Sequence, residues 1–241
     1  MRQFGLIGKN ISYSFSEKYF SEKFKKEGIT DCSYRIFDLE NLNGIDDFIQ
    51  TEKLKGFNVT IPYKEKILPF LDELSPEAEE IGAVNCVHLV NEKKIGHNTD
   101  SYGFEKSLKT LLKPQHQKAL ILGDGGASKA VKYVLKKLKI EYLTVHRKGS
   151  FLYSDLTKEI IENHLLIVNC TPLGTFPNMN ESPLIPYKFL TSEHFLYDLI
   201  YTPPQTLFLR NGALKSTQTK NGYEMLVLQA EKSWKIWNHL L

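Results

Sequence analysis

Three glycines fall within four positions between an apolar run and a helical pattern. Leu120-Ile121-Leu122 reads as a strand, Gly123-Asp124-Gly125-Gly126 as a turn, and Ala127–Leu138 as a helix. That order builds a crossover of an open parallel sheet. Glycine admits positive φ and lets the backbone approach an anion. The helix start supplies unpaired N–H groups and partial positive charge. The spacing is a variant of the dinucleotide fingerprint, and it marks Gly123, Gly125, Gly126, Ala127 and Ser128 as candidate cofactor-binding residues. Asp124 is the awkward member, since an anion repels a pyrophosphate; an outward-facing cap is one reading of it.

The next strand ends in Val145-His146-Arg147-Lys148. An NAD site wants an acid there to accept from the ribose 2′-hydroxyl. Two fixed cations stand here instead, so NADP(H) is expected, with His146, Arg147 and Lys148 at the ribose. A solvated basic turn is the plainer reading of the same residues.

Apolar runs and amphipathic patterns alternate along the rest of the chain. In the first half, strands are expected at Phe4–Ile7, Ser33–Phe37 and Gly56–Thr60, with Ala83–Val90 and Lys94–His97 paired across Asn91-Glu92. Helices are expected at Ser16–Glu27, Ile45–Ile49, Lys64–Leu71 and from Ser75-Pro76-Glu77. After Asp100 come a helix at Ser101–Leu112, the glycine turn and its helix, a strand at Tyr142–Val145 and a helix at Leu156–Asn163. Strands follow at Leu165–Val168, Phe195–Ile200 and, more weakly, Leu214–Thr219, before a closing helix in Gly222–Leu241. The fold class is α/β.

At 241 residues the chain holds one large domain or two modest ones. With 31 Lys and Arg against 28 Asp and Glu, the net charge of +3 is too small to suggest a nucleic-acid binder. Three scattered cysteines, Cys32, Cys86 and Cys170, fit a reducing cytoplasm better than a disulfide framework. No apolar run approaches the roughly 18 residues of a membrane span, and the N-terminus turns polar too soon for a signal peptide. Histidines and cysteines show no metal-ligand spacing, so no metal is expected.

Four polar motifs sit at expected strand ends in the first half. Ser12-Tyr13-Ser14-Phe15-Ser16 offers hydroxyls, although Ser16 alone reads as a helix N-cap. Asn58-Val59-Thr60-Ile61-Pro62-Tyr63-Lys64 brings an amide, a hydroxyl and a lysine to one strand end; alone, Lys64 is a surface lysine opening a helix. Gly82-Ala83-Val84-Asn85 follows. In Asn98-Thr99-Asp100, Asp100 is also a plain helix cap.

Together these pieces resemble the shikimate dehydrogenase family. Ser14-x-Ser16, Asn58-Val59-Thr60-x-Pro62-x-Lys64, Gly82-Ala83-Val84-Asn85, Asn98-Thr99-Asp100, Gly123-x-Gly125-Gly126-Ala127 and Gly222-x-x-Met225-Leu226-x-x-Gln229 stand in the family's order over nearly the whole chain. The resemblance implies reversible, NADP-dependent reduction of 3-dehydroshikimate to shikimate in aromatic amino-acid biosynthesis. It puts Ser14 and Ser16 on the substrate carboxylate, with Tyr201 beside them. It puts Thr60, Asn85 and Gln229 on the ring hydroxyls, with Asn58 also in the substrate site. Lys64 and Asp100 match the catalytic pair. Leu199 and Gly222 match positions next to the nicotinamide, and Asn169 and Thr171 a turn bordering the cofactor. Read alone, Tyr201 is a strand-end aromatic, Gln229 an exposed helix residue and Asn169-Cys170-Thr171 a loop. The family usually has His at Tyr13, Pro at Glu17, Thr at Cys86 and Asn at His146. The chain is also short between Lys148 and Leu165, on the cofactor side.

Ketone reduction needs a hydride donor, a proton source and a clamp on the ring. A cofactor supplies the first, and an ammonium such as Lys64 suits the second. A carboxylate such as Asp100 holds that ammonium charged, and the hydroxyls of Ser14, Ser16 and Tyr201 suit a carboxylate clamp. Two domains are therefore expected: a substrate domain of residues 1–100 completed by the helix 223–241, and a Rossmann-like NADP domain of residues 101–222. The site is expected in the cleft between them, at the carboxyl ends of both sheets. Rival readings are an NAD-dependent quinate/shikimate dehydrogenase and a non-catalytic NADP-responsive protein. Neither a nucleic-acid nor a membrane partner is expected, and a monomer or a homodimer is compatible.

Overall fold

The computed structural model describes residues 1–11 and 14–239. Ser12 and Tyr13, from the first polar motif, lie outside the described residues. The elements run β1 (Arg2–Gly8), α1 (Phe15–Glu27), β2 (Cys32–Asp38), α2 (Ile45–Thr51), β3 (Leu54–Val59), β4 (Glu73–Leu74), α3 (Pro76–Ile81), β5 (Cys86–Val90), β6 (Lys93–His97) and α4 (Asp100–Lys109). There follow β7 (Lys118–Leu122), α5 (Gly126–Lys137), β8 (Glu141–Val145), α6 (Lys158–Asn163), β9 (Leu166–Asn169), β10 (Phe195–Asp198), α7 (Leu207–Ala213), β11 (Gln218–Lys220) and α8 (Tyr223–Trp237). The chain divides into two compact units, one of Met1–Thr99 with Gln229–Leu241 and one of Asp100–Leu228. The sequence reading put the later boundary before the closing helix. The division falls inside α8 instead, because Met225 packs in the core of the second unit.

The first unit is a six-stranded sheet in the order β2-β1-β3-β5-β6-β4. β1 lies parallel to β2 and β3, and the β5–β6 hairpin joins antiparallel through β5. Its turn residues Asn91 and Glu92 have φ of 49° and 63°, as a two-residue turn matched to strand twist requires. Side chains alternate between two cores. Phe4, Leu6, Tyr34 and Cys86 face Phe20 and Phe24 of α1 and Trp234 and Trp237 of α8. Phe37, Phe57, Val59 and Val87 face Ile45 and Ile49 of α2.

The second unit is a five-stranded parallel sheet in the order β11-β10-β9-β7-β8. Ala119 and Ile121 of β7 pack with Phe104 and Leu108 of α4 and Val131, Val134 and Leu135 of α5. Leu120 and Leu122 turn to the opposite face, with Ile161 of α6 and Phe208 and Leu209 of α7. Helices on both faces make it doubly wound, and they explain why its strands are apolar throughout.

Several expectations change. Lys64–Leu71 is not an α-helix: turns lead into a 3-10 turn at Leu68–Phe70, because Pro69 removes a donor and disfavours helical backbone at the residue before it. The strand expected from Ala83 begins at Cys86. The weak strand near Leu214 is Gln218–Lys220, and α7 before it went unread. Ser14, not Ser16, is the N-cap of α1; its hydroxyl accepts from the Ser16 N–H at 3.4 Å. Gln229 is buried rather than exposed.

Trp237 closes one core of the first unit. Its ring stacks on Phe4 with centroids 4.8 Å apart, and its Nε1 donates to the Val87 carbonyl at 3.0 Å. Trp237→Phe keeps an aromatic ring but removes that buried hydrogen bond, so it should destabilise the protein by about 0.5–1.5 kcal/mol. Denaturant midpoints of the two proteins check this; coincident midpoints would show that the bond contributes nothing.

Candidate active site

In the first unit, strand ends and α8 bring amides and hydroxyls into one buried cluster. The Asn85 Oδ1 accepts from the Thr99 N–H at 2.6 Å, and its Nδ2 donates to Thr99 Oγ1 at 3.0 Å and to Gln229 Oε1 at 3.4 Å. The Asn58 amide donates to the Asn85 carbonyl at 3.0 Å and to Ser233 Oγ at 2.9 Å, while Tyr34 donates to its oxygen at 2.9 Å. Asn58 is therefore fully engaged by protein, and it holds Asn85 rather than presenting a free donor. Burial pushes the Tyr34 phenol well above its usual range, and a hydrogen bond with Ser16 opposes that. Tyr34 thus links Ser16 to the amide cluster. Thr60 follows β3 and is half-buried, with its N–H bound to the Ile7 carbonyl at 2.9 Å. Lys64 is half-buried, and its carbonyl accepts from the Val84 N–H at 2.8 Å, which ties the lysine motif to the Gly82–Asn85 motif.

In the second unit, a cleft of about 680 Å³ opens at the carboxyl ends of β7, β8 and β9. Gly123, Gly125, His146, Arg147, Lys148 and Thr171 line it, together with Asp124, Tyr153, Cys170, Pro172 and Leu173. Gly123 has φ of 94°, and a Cβ there would meet Thr171 Cγ2 at 2.8 Å, so only glycine lets β7 pass the β9 loop this closely. α5 begins at Gly126 with Gly125 as its cap. Asp124 turns toward its own helix, where it pairs with Lys132 and accepts from Ser128 Oγ at 3.2 Å. Chiefly that lysine holds its carboxyl below the usual range. The acid in the turn is therefore compensated, which resolves its awkwardness beside a phosphate. His146 Nδ1 stands 3.9 Å from the same carboxylate. Arg147 and Lys148 are exposed and have no carboxylate partner among the described residues.

Two of the expected cofactor residues turn inward instead. Ser128 is fully buried, and its single hydroxyl proton is shared between the Gly125 carbonyl at 2.7 Å and the more distant Asp124 carboxylate. Asn169 is fully buried as well. Its amide donates to Asp198 Oδ1 at 3.0 Å, and its oxygen accepts from the Thr171 N–H and hydroxyl at 3.0 and 2.7 Å. Both stiffen loops that line the cleft. Asp198 is the hub of the second: Ile200 N–H and Thr206 Oγ1 also donate to it, at 3.0 and 2.5 Å. Burial pushes its carboxyl up to about 6 against those bonds. Leu199 and Gly222 meet closely, since a Cβ on Gly222 would collide with the Leu199 carbonyl. Tyr201 is half-buried beyond β10, and Asp100 is the buried first residue of α4. Ala127 lies in the first turn of α5. Among the described residues no cluster of metal-ligating side chains occurs, and no helix is long and apolar enough to cross a membrane. Burial pushes the Cys170 thiol up, which leaves it protonated rather than nucleophilic. Sequence reasoning missed Tyr153, Asp198 and Ser233; only an isolated Tyr, Asp and Ser mark them.

The glycine turn, the helix start and the unpaired cations fit a dinucleotide that carries an extra phosphate. Comparison with known proteins agrees. The model of the shikimate dehydrogenase substrate binding domain matches residues 6–87. The shikimate dehydrogenase (NADP(+)) of Clostridium botulinum is 38% identical, over 97% of this chain and 95% of its own. The crystal structure of shikimate dehydrogenase 1 from Peptoclostridium difficile has a TM-score of 0.89 at 36% identity, covering 99% of this chain and 92% of that one. That of the Thermus thermophilus enzyme, in complex with NADP(H) and shikimate, has a TM-score of 0.88 at 31% identity, covering 100% and 95%. The chain belongs to the shikimate dehydrogenase family.

Proposed function

We propose that this chain catalyses the reversible, NADP-dependent reduction of 3-dehydroshikimate to shikimate, in the cytoplasm, as a monomer or a homodimer. The observation that carries the cofactor half is the cleft of the second unit, where Arg147 and Lys148 stand at the end of β8 in place of an acid. The substrate half rests on family membership and on the hydroxyls and amides gathered in the first unit. The unit of Met1–Thr99 with Gln229–Leu241 serves as the substrate domain, and that of Asp100–Leu228 as the cofactor domain.

NADPH, when bound, supplies the hydride that reaches the ring carbonyl carbon. Lys64 delivers a proton to the carbonyl oxygen, which completes the alcohol; in reverse it takes that proton back. Asp100 accepts a hydrogen bond from a ring hydroxyl. Ser14, Ser16 and Tyr201 bind the substrate carboxylate through neutral donors. Thr60, Asn85 and Gln229 orient the ring hydroxyls, and Asn58 fixes the Asn85 backbone carbonyl. Gly123, Gly125, Gly126 and Ala127 cradle the pyrophosphate, with Ser128 bracing the turn from inside. Asn169 and Thr171 hold the loop beside it, Leu199 and Gly222 would border the nicotinamide, and His146, Arg147 and Lys148 would hold the ribose phosphate.

Lys64→Ala should lower kcat by roughly a hundredfold while substrate affinity changes far less. Asp100→Asn should lower kcat and also raise KM, because a charge-assisted bond is lost. Steady-state kinetics together with substrate binding check both; near wild-type turnover of Lys64→Ala removes it from the mechanism. Ser14→Ala with Ser16→Ala should raise KM for 3-dehydroshikimate and leave NADPH affinity unchanged. Ser14 also caps α1, so a stability loss of about 1 kcal/mol accompanies the change. Equal losses of substrate and NADPH affinity would refute the assignment of these serines to the substrate.

An exposed charge-assisted contact to the 2′-phosphate is worth on the order of 1–3 kcal/mol. NADPH should therefore be favoured over NADH by at least about tenfold in kcat/KM. The preference should fall with added salt. Arg147→Ala should erode it by weakening NADPH and not NADH. Equal use of both cofactors by the wild type would instead favour the NAD-dependent quinate/shikimate reading.

A further inference from the structure

Among the described residues, two buried side-chain polar atoms have no hydrogen-bond partner, Tyr153 Oη and Thr217 Oγ1. A buried donor left unmade costs about 1–3 kcal/mol, and native folds keep such atoms where something else needs them. Thr217 lies against Gly212, away from the cleft. Tyr153 belongs to the lining of the cleft that also holds Arg147 and Lys148.

The short segment after β8 puts it there. His146 N–H donates to the Phe151 carbonyl at 2.8 Å, and His146 bridges Leu152, so the chain returns to the strand end that it left. The Asp155 carboxylate then accepts from the Leu152 N–H at 2.7 Å and fixes a 3-10 turn over Tyr153–Asp155. Phe151 and the Tyr153 ring pack on the core around Leu122, Val145 and Leu156. The ring is thus anchored on its apolar side while its hydroxyl is bound to nothing. Burial pushes the phenol up to about 12, and the positive charge of Arg147 is near enough to pull the other way. At neutral pH the group is a protonated donor beside a guanidinium, which together match an anion that accepts several hydrogen bonds.

We propose that Tyr153 is a further cofactor-binding residue, its hydroxyl donating to the 2′-phosphate attracted by Arg147 and Lys148. The inference rests on the NADP reading given above. The hydroxyl is covered in the free protein, so the contact forms with a small turn of the ring toward the cleft it already lines. On this view the shortened segment is part of the phosphate site, since its closure is what delivers the tyrosine.

Tyr153→Phe removes the one atom and keeps the ring packing. In the free protein that atom has no partner, so the melting temperature should hold or rise. NADPH should bind about three- to tenfold more weakly, and NADH should bind as before. Both affinities come from fluorescence titration of wild type and variant, without substrate. An unchanged NADPH affinity overturns the proposal. So does an equal loss for NADH, or a fall of several degrees in the melting temperature of the free variant, which would reveal an internal partner. Failure of the NADP reading itself is distinct, because the wild type would then show no preference for NADPH over NADH.

Discussion

Asn85 is 3% exposed, and a carboxamide taken out of water has to find partners for two donors and an acceptor inside the protein. It finds them on two separate segments, Thr99 after β6 and Gln229 on α8, while the Asn85 backbone carbonyl accepts from the Asn58 amide on β3. Each partner is itself shared, since Ser233 Oγ lies 3.1 Å from Thr99 Oγ1 and accepts from Asn58. Removing any one member strands another, so the cluster behaves as a unit. This is why the ends of the strands in the first unit are polar while their middles are apolar. In the proposed function, these hydroxyls and amides orient a polyhydroxylated ring acid.

The second unit solves a related problem with a charge. Asp198 is fully buried beside the register partner Asn169, and neutral donors rather than a cation satisfy it. Through Asn169 it sets the Thr171 loop, and glycine at position 123 is what lets β7 run under that loop. The cleft wall is therefore built from the sheet outward. Lys132 and Ser128 take up Asp124, and the cations at the end of β8 remain available for a ligand. Each half thus carries a rigid polar frame, with charged groups at its edge.

Much of this is legible in the sequence. The strand–glycine–helix pattern at Leu120–Leu138 and the cations after Val145 need only local spacing, and both appear in the structure as β7, α5 and the end of β8. The polar motifs are legible as well, because each lies at a strand end. What is lost depends on long-range pairing. Asp198 matters only because β10 lies next to β9, which no local pattern states. Tyr153 matters only because the His146–Leu152 segment closes on itself. Lys64–Leu71 misleads for a local reason, since a helical spacing of apolar residues outweighs the single Pro69 that breaks it. α7 is hidden by its length, seven residues with Gly212 near its end.

In the proposed function, these two polar frames serve one hydride transfer between NADPH and 3-dehydroshikimate. The most direct test is to mix the purified chain with NADPH and 3-dehydroshikimate and to follow nicotinamide absorbance alongside the shikimate formed. NADPH loss should require 3-dehydroshikimate, match shikimate one for one, and reverse with shikimate and NADP+. NADPH that binds but is not consumed in the presence of 3-dehydroshikimate would contradict the proposed transfer.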